Sequence, residues 1–109
     1  AEVHDASAMG EIMQAENLGL APPGGGGPAA ERGDFTLGGR IPINPSGGLE
    51  SKGHPLGATG IGQLLELVTQ LRGEAGARQV EGARHAIQEN GGGLQGIEEA
   101  AVAIHILAK

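Results

Sequence analysis

The chain has 109 residues, a formal net charge of −6 and no cysteine. Its length predicts one small domain. The lack of cysteine excludes a disulfide framework, a thiolate metal site and a cysteine nucleophile within these residues. The acidic balance and the single aromatic residue argue against nucleic-acid binding. No apolar run is long enough for a membrane span and no leader pattern is visible, so we expect a cytoplasmic, soluble protein.

Glycine is the anomaly of the composition, with 22 of 109 residues against a usual share of roughly 7%. The first half begins with a predicted helix, capped by Asp5 or Ser7 and ended near Gly19. Residues 20–40, a Gly/Pro-rich segment with four consecutive glycines, predict loop throughout. The segment is either a disordered linker or a long covering loop over a functional region.

Residues 41–57 contain four glycines and three prolines, so we expect successive turns and neither a regular helix nor a central strand. The next segment predicts the best helix of the chain, because its apolar residues form one stripe. The stripe comprises Ile61, Leu64, Leu65, Val68 and Leu71. Thr59 is the expected N-cap of this helix and Gly73 its expected C′ residue.

The last third predicts a hairpin. Residues 83–88 are a short strand candidate, and residues 89–93 are expected to form the turn. Residues 100–107 are apolar on both faces, which is typical of a strand buried in the middle of a sheet. Such a strand needs layers on both sides, yet the chain offers two good helices at most. We therefore expect an α/β fold of which this chain is one part.

His54 is the strongest candidate for chemistry. It lies between Gly53 and Pro55 on a turn just before a predicted helix, so its imidazole is held in place before any ligand arrives. A histidine in such a position can act as a general base or as an oxyanion donor. A purely structural histidine on a Gly-Pro turn is the alternative.

The sequence from Asn44 to Gly60, NPSGGLESKGHPLGATG, resembles the thiolase motif NxxGGxxxxGHPxGxxG without a gap. The likeness continues through residues 71–80 and is greatest to the sterol-carrier-protein branch of the thiolases. His4-Asp5 resembles the HD pair that this branch carries where other thiolases have NEAF. The resemblance covers the whole chain but only the last part of a thiolase. It implies the C-terminal portion of a layered, thiolase-like α/β domain over residues 1–109.

The resemblance also implies roles for individual residues. His54 matches the histidine that activates the nucleophilic cysteine, and His4 matches a position near an oxyanion pocket. The glycine-rich turns on either side of the motif match segments beside the site, so we expect substrate-binding residues at Asn44, Gly47, Gly48, Gly53, Gly91 and Gly92.

The chain departs from the thiolase pattern at both usual positions of a second, acid/base cysteine. Ala6 follows the HD pair, and Glu89 stands where the CxG motif has its cysteine. A carboxyl group with a raised pKa can transfer protons, so Glu89 is a candidate acid/base. The alternative is that Glu89 closes the hairpin turn.

The implied activity is thiolytic cleavage of a 3-ketoacyl-CoA, or the reverse Claisen condensation, with coenzyme A as substrate and no cofactor. The nucleophilic cysteine would come from the N-terminal half of the thiolase, so this chain alone would be inactive. The resemblance also implies a homodimer or tetramer. A zinc-ribbon/OB-fold accessory protein is a further candidate partner that the resemblance suggests. The alternatives are a thiolase-fold retro-aldolase, a condensing enzyme that needs an accessory subunit, and a non-catalytic acyl-CoA or lipid-binding module.

The remaining polar residues favour structural roles. We interpret His85 as a surface histidine and His105 as a hydrogen-bonded core histidine. No pair among the four histidines has the spacing of a metal site. The best candidates for contacts with CoA phosphates are three arginines, although a solvated face is the alternative for all of them: Arg72, Arg78 and Arg84.

Overall fold

The computed structural model describes residues 1–109, except for the side chain of Glu98. Helices and strands are both present, which confirms the predicted α/β class. In chain order the elements are α1 (Ala8–Asn17), α2 (Gly26–Glu31), α3 (Gly48–Lys52), α4 (Thr59–Arg72), a short 3₁₀ turn (Gly76–Arg78), β1 (His85–Gln95) and β2 (Glu98–Ala108).

Helix α1 begins and ends as predicted. The Ser7 hydroxyl caps its first turn by accepting a hydrogen bond from the Gly10 N–H at 3.1 Å. The chain leaves the helix through Gly19, whose φ of 71° lies in the left-handed region. Ala15 is the helix residue that faces the core.

The glycine-rich segment is packed against α1. The Glu16 carboxylate accepts hydrogen bonds of 2.9 Å from the N–H groups of Gly24 and Gly26. These bonds lower the pKa of Glu16. Residues 26–31 form α2, so the prediction of loop throughout residues 20–40 is wrong there. Ala29 and Phe35 are buried in the core, which favours the covering segment over the linker.

The core lies under an extended segment at the start of the described chain. Glu2 donates its N–H to the Ile87 carbonyl at 3.0 Å and its carbonyl accepts from the Glu89 N–H at 2.9 Å, so the segment is joined to β1 by an isolated parallel bridge between Glu2 and Gln88. The segment contributes Val3 to the buried apolar cluster, whose other members are Ala15, Ala21, Ala29, Phe35 and Ile43. Because these side chains are mostly small, the backbones approach one another closely.

The region of residues 41–57 is largely turns, but it contains the five-residue helix α3, contrary to the expectation. The buried Asp5 carboxylate accepts the Leu49 N–H at 2.7 Å and so satisfies one free donor of the first turn of α3. The same carboxylate lies where a β-carbon on Gly48 would be, and Gly48 has a φ of 63°. Only glycine fits at this position.

Helix α4 ends at Gly73 as predicted, with a φ of 77°. The prediction for its start is wrong, because Thr59 is the first helical residue and Ala58 occupies the N-cap without a side-chain bond. The apolar stripe is buried only at Leu71. Ile61 and Leu65 are 69% and 67% exposed, whereas the side of α4 against β1 buries Gln63 and Leu67.

The hairpin is longer than predicted. Residues 89–93 were expected to form the turn, but β1 continues through them to Gln95, and the turn is residues 96–97 instead. The two strands pair in a regular antiparallel register with His105 opposite Gln88 and Val102 opposite Gly91. β2 was predicted to be buried in mid-sheet. In the described residues it is an edge strand, with Ile106 76% exposed.

The Gly48 position yields the first prediction. Gly48→Ala forces the Asp5 carboxylate to move and strains a left-handed backbone, so we expect the free energy of unfolding to fall by about 1–3 kcal/mol. Gly62→Ala is the matched control, because Gly62 lies in α4 with open space at its α-carbon. That variant should gain about 0.5–1 kcal/mol. Urea denaturation of both variants measures the difference, and equal stabilities would contradict the assigned role of Asp5.

Candidate functional site

His54 is held at the start of α4 by a hydrogen bond to Thr59. Its Nδ1 lies 2.7 Å from the Thr59 Oγ1, and the Thr59 hydroxyl donates to the Pro55 carbonyl at 3.3 Å. The hydroxyl has one hydrogen; with that hydrogen on the carbonyl, the hydroxyl accepts from Nδ1–H of His54. In the neutral imidazole the Nε2 atom then carries a lone pair, which is the form of a general base.

His4 has the opposite arrangement. Its Nδ1 accepts a hydrogen bond of 3.1 Å from the backbone N–H of Gly91 in β1. A nitrogen that accepts from an N–H group carries no hydrogen of its own, so the neutral ring bears its proton on Nε2. His4 therefore presents an N–H donor, which is the requirement for stabilising an oxyanion.

The two imidazoles lie beside one another. Their ring centroids are 4.8 Å apart, with an interplanar angle of 64°. They line one cavity of about 490 Å³ together with apolar side chains of the loop and of α4, including Leu56, Ile61 and Leu64. Thus the two histidines that the sequence analysis singled out lie in one cavity wall, and their roles as base and oxyanion donor stay predictions.

Only two of the six glycine and asparagine positions predicted to bind substrate line this cavity. Gly91 and Gly92 lie in its wall, where β1 passes His4. The others lie outside the cavity, in α3 or in the segments next to it: Asn44, Gly47, Gly48 and Gly53.

Asn44 supports the site instead of lining it. Its Oδ1 accepts the Val3 N–H at 2.8 Å, and its Nδ2 donates to Glu11 at 3.1 Å. The residue has a φ of 51°, a left-handed conformation that asparagine tolerates. Asn44 therefore fixes the backbone next to His4.

Glu89 is buried, with 1% of its surface exposed, and it does not line the cavity. Its Oε2 accepts the backbone N–H of His4 at 3.0 Å, and its Oε1 has no hydrogen-bond partner among the described residues. Burial raises the pKa of Glu89, and the nearby Glu99 charge raises it further, against the lowering effect of the His4 N–H. Glu89 lies in the middle of β1, so the hypothesis that it closes the hairpin turn is wrong.

The cavity contains functional groups that the sequence reasoning missed. His105 is hydrogen-bonded as expected, with its Nδ1 2.6 Å from the Gln88 Oε1, but it is exposed to the cavity and not in a core. Asn90 also lines the cavity, and its Oδ1 is buried without a hydrogen-bond partner in the part of the chain that the structure describes. The signal for both was the strand register, because His105, Gln88 and Asn90 share one face of the hairpin.

The other singled-out residues lie outside this cavity. His85 is exposed near the far end of β1. Arg78 forms an ion pair of 3.0 Å with Glu66, while Arg72 and Arg84 are exposed. Within the described residues, no group of three or more histidine and acidic side chains is arranged to hold a metal ion. None of the described helices has both the length and the apolar character needed to cross a bilayer.

Comparison with known proteins identifies the family of this chain. The family model described as "Thiolase C-terminal domain-like" matches residues 1–107. The chain belongs to the thiolase C-terminal domain-like family. The match confirms the prediction from the motif at Asn44–Gly60 that this chain is the C-terminal α/β portion of a thiolase-like domain.

Individual relatives agree with the family. The domain is 60% identical over 89 residues to "Sterol carrier protein 2" of Oryctolagus cuniculus. The aligned residues cover 82% of the domain and 16% of that protein. It is 51% identical over 108 residues to "Acetyl-CoA acetyltransferase" of Methanothermobacter thermautotrophicus, covering 99% of the domain and 27% of that protein. Similarity extends to "Benzoylsuccinyl-CoA thiolase subunit BbsB" of Thauera aromatica, at 41% over 80 residues, covering 73% of the domain and 21% of that protein. The chain thus spans about a sixth to a quarter of these relatives.

The Thr59 contact predicts the tautomer of His54. Thr59→Val removes the acceptor of Nδ1–H. The lost hydrogen bond is worth about 1 kcal/mol, so we expect the ratio of the two neutral tautomers of His54 to shift roughly fivefold toward Nε2–H. Thr59→Ser keeps the hydroxyl and is the control. Imidazole ¹⁵N chemical shifts of His54 report the ratio, and an unchanged ratio in Thr59→Val would refute the assignment.

The raised pKa of Glu89 predicts that the stability of the fold depends on pH. Between its ordinary pKa of 4.5 and its raised pKa, the unfolded chain loses a proton that the folded chain keeps, so wild-type stability falls as the pH rises. Glu89→Gln retains an acceptor for the His4 N–H but does not ionise. We expect equal stability below pH 4.5 and a more stable variant at neutral pH.

Glu81→Gln supplies the control for Glu89→Gln, because it makes the same charge change at an exposed site. Urea denaturation across this pH range measures all three proteins. A Glu89→Gln variant that loses stability at neutral pH would show that the carboxylate is needed in its ionised form.

Proposed function

We propose that this domain supplies the histidine half of a thiolase active site, for thiolytic cleavage of a 3-ketoacyl-CoA or the reverse Claisen condensation. The observation that carries the proposal is the pair of imidazoles 4.8 Å apart. In the tautomers inferred from their Nδ1 contacts, His54 has an Nε2 lone pair and His4 has an Nε2–H donor. Acyl transfer to a thiol needs both groups at one carbonyl.

In the first half of the reaction, the His54 Nε2 takes the proton of a thiol that comes from outside these residues. The thiolate attacks the 3-keto carbon, and the His4 Nε2–H donates to the oxygen on which charge develops. The bond between C2 and C3 then breaks, and its electron pair leaves as the enolate of acetyl-CoA. His54 returns its proton to C2.

In the second half, the same base serves again. His54 takes the proton from the thiol of coenzyme A, whose thiolate attacks the acyl thioester. The proton then passes to the departing enzyme thiolate, and the site is restored. This single-base scheme suits the described residues, because no carboxylate among them lines the cavity and Glu89 holds the backbone of His4.

The proposal extends to the assembly. The remainder of the protein would supply the cysteine, since the chain spans about a quarter or less of the relatives described above and contains no cysteine. Coenzyme A enters as substrate and no cofactor is needed. A cytoplasmic homodimer or tetramer is included in the proposal, as is a zinc-ribbon/OB-fold accessory protein.

Acyl-CoA or lipid binding without turnover is the second candidate. The observation that favours it is the position of Glu89, because the residue at the acid/base position of thiolases does not line the cavity. Two of the relatives are named sterol carrier protein 2 and acetyl-CoA acetyltransferase, so both kinds of function have support. A retro-aldolase on the same fold would release an aldehyde or ketone without consuming coenzyme A, and product analysis distinguishes it.

Thiolysis by the intact protein that carries this domain tests the proposal. Loss of a general base costs about 10²–10⁴-fold in kcat, and loss of one oxyanion donor costs about 10²–10³-fold. We therefore expect losses of these sizes for His54→Ala and His4→Ala, respectively. His85→Ala, which changes an exposed histidine outside the cavity, should leave activity unchanged. Full activity in His54→Ala would overturn the proposal.

A further inference from the structure

Three of the four histidines line the same cavity, and the proposed reaction uses only two of them. The third, His105, projects from β2 into the cavity wall beside Ala103. It was expected in a core, where a histidine needs no further explanation. Its position in the cavity instead gives it access to any ligand that His4 and His54 bind.

A chain of buried amides sets the orientation of His105. The Gln88 Nε2 donates to the Gln63 Oε1 at 2.8 Å, and the Gln63 Nε2 donates to the Glu89 carbonyl at 3.1 Å. These donor assignments leave the Gln88 Oε1 as an acceptor, so it takes the Nδ1–H of His105 at 2.6 Å. The neutral ring therefore carries its lone pair on Nε2, which has no hydrogen-bond partner among the described residues.

The two glutamines are 0% and 1% exposed, in a part of the α4–β1 contact where apolar side chains would pack at less cost. Because both amides are satisfied within the network, the arrangement is stable and rigid. The network reaches the cavity at Gln88 and ends there in the His105 ring.

The strand register places His105 at a different point along the cavity wall from His4. His105 is opposite Gln88, whereas the N–H that holds His4 belongs to Gly91, three residues farther along β1. At about 3.4 Å per residue in an antiparallel strand, the backbone positions of Gln88 and Gly91 are separated by roughly 10 Å. A ligand that extends along this wall from His4 passes His105.

We propose that His105 is a substrate-recognition residue whose Nε2 accepts a hydrogen bond from an acyl-CoA ligand bound in the cavity that His4 and His54 line. This inference rests on the proposed acyl-CoA function and identifies a subsite of that cavity. Two parts of such a ligand offer a donor. One is a hydroxyl group on the acyl chain, and the other is an amide N–H of the pantetheine arm.

Two conservative variants separate recognition from a structural role. The carboxamide of glutamine ends near the position of the histidine Nε2, whereas that of asparagine ends near Nδ1. His105→Gln thus keeps an acceptor for the ligand, and His105→Asn keeps only the bond to Gln88. His105→Phe removes both, and His85→Gln is the control outside the cavity.

The experiment measures binding of octanoyl-CoA and 8-hydroxyoctanoyl-CoA to the intact protein by titration calorimetry. We expect His105→Phe and His105→Asn to bind about three- to tenfold more weakly, with His105→Gln and His85→Gln close to wild type. Weakening confined to the hydroxylated compound identifies the acyl hydroxyl as the donor. Equal weakening of both compounds identifies the pantetheine amide.

Three results would overturn the inference. The first is unchanged affinity in His105→Phe, the second is recovery by asparagine but not glutamine, and the third is a wild-type protein that binds neither compound. Thiolysis is assayed separately on the same preparations. A wild-type protein that binds acyl-CoA through His105 and cleaves no 3-ketoacyl-CoA would refute the proposed function alone.

Discussion

The arrangement of the site depends on the hydrogen bonds that hold the extended segment Glu2–Asp5. On one side Glu2 pairs with β1 through backbone bonds, and on the other side Val3 donates to Asn44. The Asp5 carboxylate then caps α3. His4 lies within this segment, with its N–H bound to Glu89 and its Nδ1 bound to Gly91. Since both the backbone and the ring are fixed, His4 needs little reorganisation to act as a donor.

The sequence was sufficient for the parts of the fold that local signals determine. The Ser7 cap, the end of α4 at Gly73 and the turn that carries His54 follow from the preferences of single residues. β1 was predicted too short because residues 91–93 are glycines, which usually interrupt a strand. Here Gly91 remains in the strand, where the Glu99 carboxylate occupies the space of a side chain. That contact depends on the hairpin register, which a single strand does not reveal.

The spacing of apolar residues correctly predicted that α4 is a helix. It did not predict which neighbouring element, if any, covers the apolar stripe. The polar side chains Gln63 and Gln70 are buried, with their hydrogen bonds satisfied, while Ile61 and Leu65 face outward. A stripe predicts that one face will be covered, not which neighbour covers it. Asn44 and Gly48 show a similar limit for the site. Their motif was recognisable, but their support of His4 became evident only once Val3 and Asp5 were placed beside them.

The three cavity histidines share one principle of construction, since each uses Nδ1 to bind the scaffold. For His4 the partner is a backbone N–H, which leaves the proton on Nε2. For His54 and His105 the partners are a hydroxyl and an amide oxygen, which hold the proton on Nδ1 and leave Nε2 as an acceptor. The chemical character of each ring at the cavity is therefore set by a neighbouring residue. Motif recognition locates a histidine, but the partner of its Nδ1 decides whether it donates or accepts.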